Sequence, residues 1–372
     1  MNRISAVKII GSIGLVISML LNGCTTNSIT DNNVSGNDLT ATEVIRLMGN
    51  GINLGNTLEA YNHKSYVELG VDPTSFETLW GQPVTTRDMI DDMKAMGFDT
   101  LRIPVAWTNG INYESGDYTI DERLMNRVDE VVNYALDADM YVILNEHWDG
   151  SWWGMFGSAD EAVREKGMAL YKSMWTQISE HFSDYSYKLI FESANEELCH
   201  RLNDSDVTGT EGVLSEDECY ETTNRINSEF VKLVRSTGGK NADRFLLIAG
   251  YNTDFRKTCD DRYQMPEDTA KDKLLLSVHY YTPWDYCSDG NAKRWGTPGD
   301  YEEQNSLFQM LTKFTDLGYG VVIGEYAVMG AADKPDRDKF YANLLDNCDL
   351  YNYCPVLWDC SDFYKRVLRK TT

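Results

Sequence analysis

Two glutamates in this chain each follow a short apolar run that is typical of a buried strand. Glu196 follows the run Leu189 to Phe191, and Glu325 follows the run Val321 to Ile323. A single glutamate at such a position would more often be a solvated charge. Two carboxylates at the carboxyl ends of two strands in one barrel are the pair that a retaining glycosidase needs, held ~5–5.5 Å apart. The sequence therefore predicts glycosidic-bond chemistry at this rim.

Other strand-end residues have side chains that fit such a site. Arg102 interrupts the apolar run Leu101 to Val105, and a buried guanidinium is costly unless a carboxylate accompanies it. We expect Glu325 to be that partner. In a later run, strand alternation places His279 and Tyr281 on the same face, and a polar face inside a barrel indicates a site.

His147 is a further candidate at the end of a strand. It follows the apolar run Tyr141 to Leu144 and shares its parity with Asn145 and Asp149. A histidine taken alone at such a position would more often be a hydrogen-bonded structural residue. Both interpretations of His147 stay open on these grounds.

The elements that must position these side chains are strands alternating with helices. Eight apolar runs are strand candidates: Ile52 to Leu54, Leu101 to Val105, Tyr141 to Leu144, Leu189 to Phe191, Phe245 to Ile248, Leu274 to Leu276, Val321 to Ile323 and Val356 to Trp358. Helical periodicity is clearest at Thr86 to Met96, Asp121 to Ala138, Ala159 to Phe182, Glu218 to Ser236 and Tyr301 to Leu317.

This alternation predicts the α/β fold class and one particular architecture. Strand–helix–strand units imply right-handed parallel crossovers, and eight of them close into a (β/α)₈, or TIM, barrel. We expect a single catalytic domain over residues 43–372, with only a weak helix between the fifth and sixth strands. The last helix is expected to be short or missing, because only residues 359–372 follow Trp358.

The first residues have the pattern of an export signal. Two positive residues precede the apolar run Ile9 to Leu21, which is shorter than the ~20 residues of a membrane-spanning helix. We interpret residues 1–24 as a signal peptide whose end resembles a bacterial lipobox, so Cys24 is the expected lipidation site. The alternative is an ordinary cysteine near a plain cleavage site. Residues 25–42 have the composition of a flexible linker, and the mature protein is expected outside the cytoplasm, as a cell-surface lipoprotein or secreted.

The composition excludes several kinds of partner. A formal net charge of −24 repels nucleic acid and anionic headgroups, so we expect no nucleic acid partner and membrane contact only through the lipid anchor. A neutral polysaccharide is unaffected by that charge. The cysteines after Cys24 lack the C-x-x-C spacing of zinc sites, and we expect no metal, no cofactor and a monomeric protein.

A set of motifs in the same order resembles glycoside hydrolase family 5, also called cellulase family A. The likeness is greatest to its bacterial endoglucanases and xyloglucanases, which share the Asn-Leu-Gly-Asn-Thr-Leu segment. The matching segments are Gly51–Ala60, Glu77–Pro83, Gly97–Val105, Phe191–Glu196, Gly250–Asp254, His279–Tyr281, Ile323–Glu325 and Trp358–Asp359. Any one of these motifs is weak, but the ordered set is specific.

The resemblance implies roles for particular residues. It implies Glu196 as the acid/base and Glu325 as the nucleophile of a retaining β-1,4-glycanase. It also implies neighbours of the reacting sugar: Asn195 as donor to its 2-hydroxyl, Arg102 and Tyr281 beside the nucleophile, His147 and His279 around the ring, Trp358 as stacking platform, and Asn56 among the substrate-binding residues.

Two residues depart from the family pattern near these positions. Trp148 stands where close relatives usually have a second histidine, which puts the sugar contact of that histidine in doubt. Glu197 replaces the proline that commonly follows the acid/base. Its negative charge is expected to raise the pKa of Glu196, as suits a general acid.

The expected substrate is a plant glucan, cut internally by an endo-β-1,4-glucanase (cellulase). Five loop tryptophans are predicted to stack on sugars along an open cleft: Trp80, Trp107, Trp152, Trp153 and Trp284. Xyloglucan, mixed-linkage glucan, xylan and mannan remain alternatives within the family. A metal-dependent sugar isomerase and a non-catalytic glycan-binding surface lipoprotein are more remote ones.

Overall fold

The structure, a computed structural model, describes residues 38–288, 292–330 and 334–371. The predicted signal peptide with Cys24 lies outside the described residues. Eight parallel strands form a closed barrel in sequence order, which confirms the predicted fold. The strands are β1 Gly51–Asn53, β2 Thr100–Ile103, β3 Tyr141–Asn145, β4 Leu189–Glu192, β5 Leu246–Ala249, β6 Leu274–Tyr280, β7 Gly320–Tyr326 and β8 Tyr353–Leu357. Two short antiparallel strands, β9 Tyr364–Lys365 and β10 Lys370–Thr371, form a separate hairpin.

Helices surround the barrel and connect its strands. They are α1 Ala41–Met48, α2 His63–Leu69, α3 Arg87–Ala95, α4 Glu122–Asp137, α5 Glu161–His181, α6 Glu216–Ser236, α7 Phe255–Thr258, α8 Trp284–Cys287, α9 Pro298–Met310, α10 Thr312–Thr315 and α11 Arg337–Tyr351. The predicted helices correspond to α3, α4, α5, α6 and the pair α9 and α10. The weak helix between β5 and β6 is the single turn α7. In the described part of the chain after β8 there is a hairpin and no helix, as expected.

Helix α1 closes the end of the barrel where the strands begin. A capping box of Thr40 and Glu43 starts the helix, and its apolar residues pack against inward-facing residues near the first halves of the strands. Lys273, directly before β6, donates to the carbonyl of Leu39 at 2.6 Å. The predicted linker, residues 25–42, therefore overlaps the folded domain at its last residues. Among the described residues, no helix is both long and apolar enough to span a bilayer.

Irregular pairing at the other end of the barrel shapes the site. The register of β6 against β7 shifts between Val278 and His279, and that of β7 against β8 shifts between Ile323 and Tyr326. Such irregularities re-aim side chains beside active sites. Both lie next to Glu325, the residue predicted as nucleophile.

Candidate active site

A cleft opens at the carboxyl ends of the barrel strands, where catalytic side chains of this fold are found. It encloses a cavity of about 320 Å³. The residues that line it are Asn56, Glu59, Trp80, His147, Trp148, Asn195, Glu196, Arg201, Tyr281, Trp284, Glu325, Met329 and Trp358. Most of the residues predicted for the site are therefore brought together, and Arg102 and His279 contact its carboxylates from the barrel side.

The two carboxylates face each other across His279. The Nδ1 atom of His279 lies 2.8 Å from Oε1 of Glu196 and 3.6 Å from Oε2 of Glu325. A carboxylate oxygen of each glutamate lies within 4.8 Å of the other. This spacing is close to the ~5–5.5 Å of retaining glycosidases and well below the ~6.5–9.5 Å of inverting ones.

Arg102 is fully buried and holds the carboxylate of Glu325 in place. Its Nη1 atom donates to Oε1 of Glu325 at 2.8 Å, its Nε atom to Glu192 at 2.7 Å, and its Nη2 atom to Asn195 at 2.9 Å. The predicted pairing with Glu325 is confirmed. Nη1 also donates to Oδ1 of Asn53 at 3.0 Å, so the fork-shaped guanidinium connects four strands or strand ends.

Glu192 is a site residue that the sequence analysis missed. It is fully buried at the end of β4, accepts from Arg102, and accepts from the hydroxyl of Ser277 at 2.6 Å. The carboxylates of Glu192 and Glu325 both accept from Arg102, so the buried guanidinium is a paired charge. The available signal was the charge requirement of Arg102, since Glu192 ends the apolar run of β4.

Tyr281 and His147 complete the polar floor of the cleft. The hydroxyl of Tyr281 donates to Oε2 of Glu325 at 3.0 Å. The ring of His147 stacks on the indole of Trp358, with centroids 5.8 Å apart and planes 14° apart. Burial, followed by the charge of Arg102, lowers the pKa of His147 well below its usual value, so this imidazole is neutral.

Burial and the neighbouring charged groups have opposite effects on the pKa values of Glu325 and Glu196. Burial raises the pKa of Glu325, although His279, Arg102 and the hydrogen bond from Tyr281 oppose that rise. Burial alone would also raise the pKa of Glu196, but the hydrogen bond and charge of His279 outweigh burial and lower it. Glu196, His279 and Glu325 are also the group of described residues with the spacing to hold a metal ion. The Arg102 guanidinium already neutralises Glu325 there.

The expectation that Glu197 raises the pKa of Glu196 is wrong for this structure. The hydrogen bond from His279 sets the direction for Glu196, as described above. Glu197 itself has the raised pKa, to about 8, first because it is buried and second because Glu196 is close. Neither carboxylate oxygen of Glu197 has a hydrogen-bond partner among the described residues.

Glu197 belongs to a buried group of three carboxyls beneath the site, together with Glu146 and Asp149. All three are at most 1% exposed. Burial is the main cause that raises the pKa of Asp149 to about 7 and the pKa of Glu146 well above its usual value. Burial therefore favours the protonated forms of these three carboxyls near neutral pH.

We expect Glu197→Gln to change the pH dependence of stability. A carboxyl with a raised folded-state pKa holds a proton that the unfolded chain releases, so the free energy of unfolding falls as pH rises from about 4.5 to 8. Glutamine mimics the protonated form, and the variant should gain on the order of 2–4 kcal/mol relative to wild type between pH 5 and 8. Urea unfolding at several pH values measures this, with exposed Glu211→Gln as control. A constant difference across pH would contradict it.

The loop tryptophans divide into two groups. Trp80 and Trp284 are 41% and 63% exposed and line the cleft, as predicted. The prediction is wrong for Trp107, Trp152 and Trp153, which are at most 1% exposed. Trp107 donates to the carbonyl of Asn145 at 2.9 Å, and Trp152 stacks on Trp153 with centroids 4.4 Å apart. These indoles fill the space between loops and helices, so they cannot contact sugars.

Trp148 and Asn56 are two further residues of the cleft. Trp148 lines the cleft and meets the ring of Tyr61 edge-on, with centroids 5.6 Å apart. An indole therefore occupies the place expected for a second histidine. Asn56 lines the cleft in a left-handed backbone conformation, with φ of 60°, and its N–H donates to the carboxylate of Glu59.

The family model for cellulases of glycosyl hydrolase family 5 matches residues 64–363. The chain belongs to glycoside hydrolase family 5. Endoglucanase A of Paenibacillus barcinonensis is 34% identical over 357 residues, covering 86% of this chain and 82% of that protein. A xyloglucan-specific endo-β-1,4-glucanase of Bacteroides ovatus is 31% identical over 366 residues, covering 92% of this chain and 69% of that protein.

Solved structures of family 5 show the same barrel. The GH5-4 broad specificity endoglucanase from Ruminococcus champanellensis with bound cellotriose aligns with a TM-score of 0.77 and 30% identity. The alignment covers 90% of this chain and 96% of that one. The predicted family resemblance is therefore confirmed in sequence and in fold.

Proposed function

We propose that the protein is a retaining endo-β-1,4-glucanase that hydrolyses internal bonds of plant β-glucans. The observation that carries this proposal is the carboxylate pair within 4.8 Å, with Glu325 fixed by Arg102 and Tyr281. Exposed indoles at the cleft rim supply the stacking surfaces that sugar rings use. The endoglucanases among its family 5 relatives, and the neighbour described with bound cellotriose, support the same substrate class.

The first chemical step forms a covalent glycosyl-enzyme. A carboxylate oxygen of Glu325 attacks the anomeric carbon, and the bond from that carbon to the leaving glycosidic oxygen breaks. Glu196 gives its proton to the leaving oxygen, so the departing chain leaves as an alcohol. Arg102 orients the carboxylate of Glu325 and favours its ionised form against the effect of burial, and Tyr281 donates to its second oxygen.

Glu196 must carry a proton before it can act as an acid, and substrate binding favours this protonated form. Without substrate, the hydrogen bond from His279 favours its ionised form. A sugar that fills the cavity removes water from both carboxyls, and the neighbouring charge of Glu325 then favours a proton on Glu196. In the second step Glu196 takes a proton from water, the hydroxide oxygen bonds to the anomeric carbon, and the bond to Glu325 breaks.

A panel of soluble polysaccharides tests this function. We expect reducing ends to appear from carboxymethyl cellulose and mixed-linkage glucan with an early fall in viscosity, because an open cleft accepts internal bonds. The first products should be a mixture of oligosaccharide lengths. Release of only glucose or only cellobiose from the earliest times would contradict an endo-acting cleft.

Xyloglucan is the second candidate substrate, and one observation favours it. The xyloglucan-specific relative aligns over 92% of this chain. A ratio of kcat/KM for xyloglucan over unbranched β-glucan well above one would assign the preference to the branched polymer. Activity on neither polymer, in a folded protein, would overturn the proposed function.

We also propose that the enzyme is an exported lipoprotein anchored at Cys24. Support comes from the short apolar run that ends before this cysteine and from the polar segment after it. Wild-type protein expressed in a bacterium should incorporate radiolabelled palmitate and remain with membranes. Cys24→Ser should do neither. Equal labelling of both proteins would exclude Cys24 as the lipidated residue.

A further inference from the structure

Arg366 is a buried side chain that none of the active-site motifs contains. It directly follows β9, lies beyond the residues matched by the family model, and is only 1% exposed. Its Nη1 atom donates to the carbonyl of Gly55 at 2.8 Å, and its Nη2 atom donates to the carbonyl of Asp359. One guanidinium fork therefore connects the loop after β1 to the loop after β8.

Each of these loops carries a residue of the cleft. Gly55 precedes Asn56, and Asp359 follows Trp358; Asn56 and Trp358 both line the cavity. The loops also touch directly, because the N–H of Gly55 donates to the carbonyl of Asp359 at 3.0 Å. A Cβ atom at Gly55 would lie 2.8 Å from the Trp358 indole. The position of this indole is therefore coupled to the contact between the loops.

Charge around Arg366 strengthens this connection. The carboxylate of Asp359 is fully buried, lies 3.5 Å from Nη2 of Arg366, and accepts from the N–H of Phe363 at 2.8 Å. The carboxylate of Glu59 also interacts with the Arg366 charge and accepts from the N–H groups of Asn56 and Thr57. Loss of the Arg366 guanidinium would therefore remove a positive charge that interacts with the buried carboxyls of Asp359 and Glu59.

The hairpin that carries Arg366 is attached to the barrel by separate contacts. The hydroxyl of Tyr364 donates to Asp92 on α3 at 2.7 Å. Arg369 donates from Nε to Asp92 at 2.6 Å and from Nη1 to Asp88 at 2.8 Å. Arg369 is thus a second arginine near the same hairpin, more exposed than Arg366 and with carboxylate partners outside the cleft, and it provides a control.

We propose that Arg366 is a positioning residue for substrate binding, which fixes the Trp358 platform and Asn56 by joining the loops after β1 and β8. It is not a catalytic residue, because it lines no part of the cavity. The inference rests on the proposed function, because it requires that Trp358 and Asn56 contact the sugar.

The test compares Arg366→Met with Arg369→Met in the full chain. Methionine keeps much of the side-chain volume and removes the donors. We expect Arg366→Met to raise KM for a soluble β-glucan at least about tenfold with a smaller change in kcat. The substitution disturbs the positions of Trp358 and Asn56 and leaves the pair of catalytic carboxylates in place. Arg369→Met should stay within about twofold of wild type in both constants. Wild-type-like KM for Arg366→Met would overturn the inference.

A double-mutant cycle with Trp358→Ala shows whether Arg366 acts through the platform. In the Trp358→Ala background, Arg366→Met should add only about a twofold change in KM. A full multiplicative effect would overturn the part of the inference by which Arg366 acts through Trp358. If Arg366→Met fails to fold, Arg366→Lys replaces it, with an expected KM between those of wild type and the methionine variant, since one ammonium cannot serve both carbonyls as a fork does.

A measurement without turnover separates this inference from the proposed function. The near-ultraviolet circular dichroism of Trp358, taken as wild type minus Trp358→Phe, should be lost in Arg366→Met and kept in Arg369→Met. Inactive wild-type protein would overturn the function and leave this readout intact. A retained Trp358 signal in Arg366→Met would overturn only the positioning role.

Discussion

Glu196→Ala and Glu325→Ala are expected to give glycosyl azides of opposite anomeric configuration when assayed with azide and an activated aryl β-glycoside. The leaving group of such a substrate needs no proton, so Glu196→Ala should still form the intermediate and accumulate it. Azide needs no base and should release a β-glycosyl azide. Glu325→Ala cannot form the intermediate, so azide in the vacated space should attack directly and give the α-azide.

On a natural polysaccharide both substitutions should be severe. Loss of the acid/base is expected to cost about 10²–10⁴-fold in kcat. Loss of the nucleophile should cost more, at least about 10⁴-fold. The neighbouring carboxyl supplies the control, since Glu197→Ala should show no rescue by azide. Exchanged anomers between the two variants, or rescue of Glu197→Ala in place of Glu196→Ala, would reverse the assignment.

Arg102→Lys is expected to keep the fold and to lose at least about a hundredfold in kcat/KM, or roughly 2.7 kcal/mol of transition-state stabilisation. A single ammonium cannot hold Glu192, Glu325 and Asn195 together, as the planar guanidinium does. Steady-state kinetics on a soluble β-glucan measure the loss, and thermal unfolding measures the fold.

The matched control for this substitution is Arg235→Lys. Arg235 also makes a fork-shaped contact to a carboxylate, with Asp268 at 2.8 and 2.7 Å, but it lies on α6 away from the cleft. It should lose stability and keep its kcat/KM. Activity of Arg102→Lys within about twofold of wild type would remove Arg102 from the site.

The barrel was predictable because its signal is local and repeated. Each strand is a short apolar run, and most of the longer helices show their periodicity within one segment. Helix α1 was missed because it has only eight residues directly after a polar segment, and its stability comes from packing under the barrel. The helix α11 was also missed, because its apolar residues do not form a clear stripe.

The site was predictable where a polar or charged residue lies at the end of an apolar strand. Glu196, Glu325, Arg102 and Tyr281 meet, as expected from their positions on or directly after the strands. The pKa of Glu196 was not predictable, because its direction depends on His279, which is 83 residues away in sequence. For the buried loop tryptophans, sequence position cannot distinguish an indole that faces solvent from one that packs inward.

Helix α1 also decides how an anchored form of the enzyme would face its substrate. The folded domain begins at the end of the barrel opposite to the cleft, where Thr40 starts α1. The segment from Cys24 to Leu39 would reach roughly 50 Å at full extension. A lipid at Cys24 would therefore attach the domain at its closed pole, which leaves the cleft at the opposite pole free to meet insoluble fibres too large to diffuse to it.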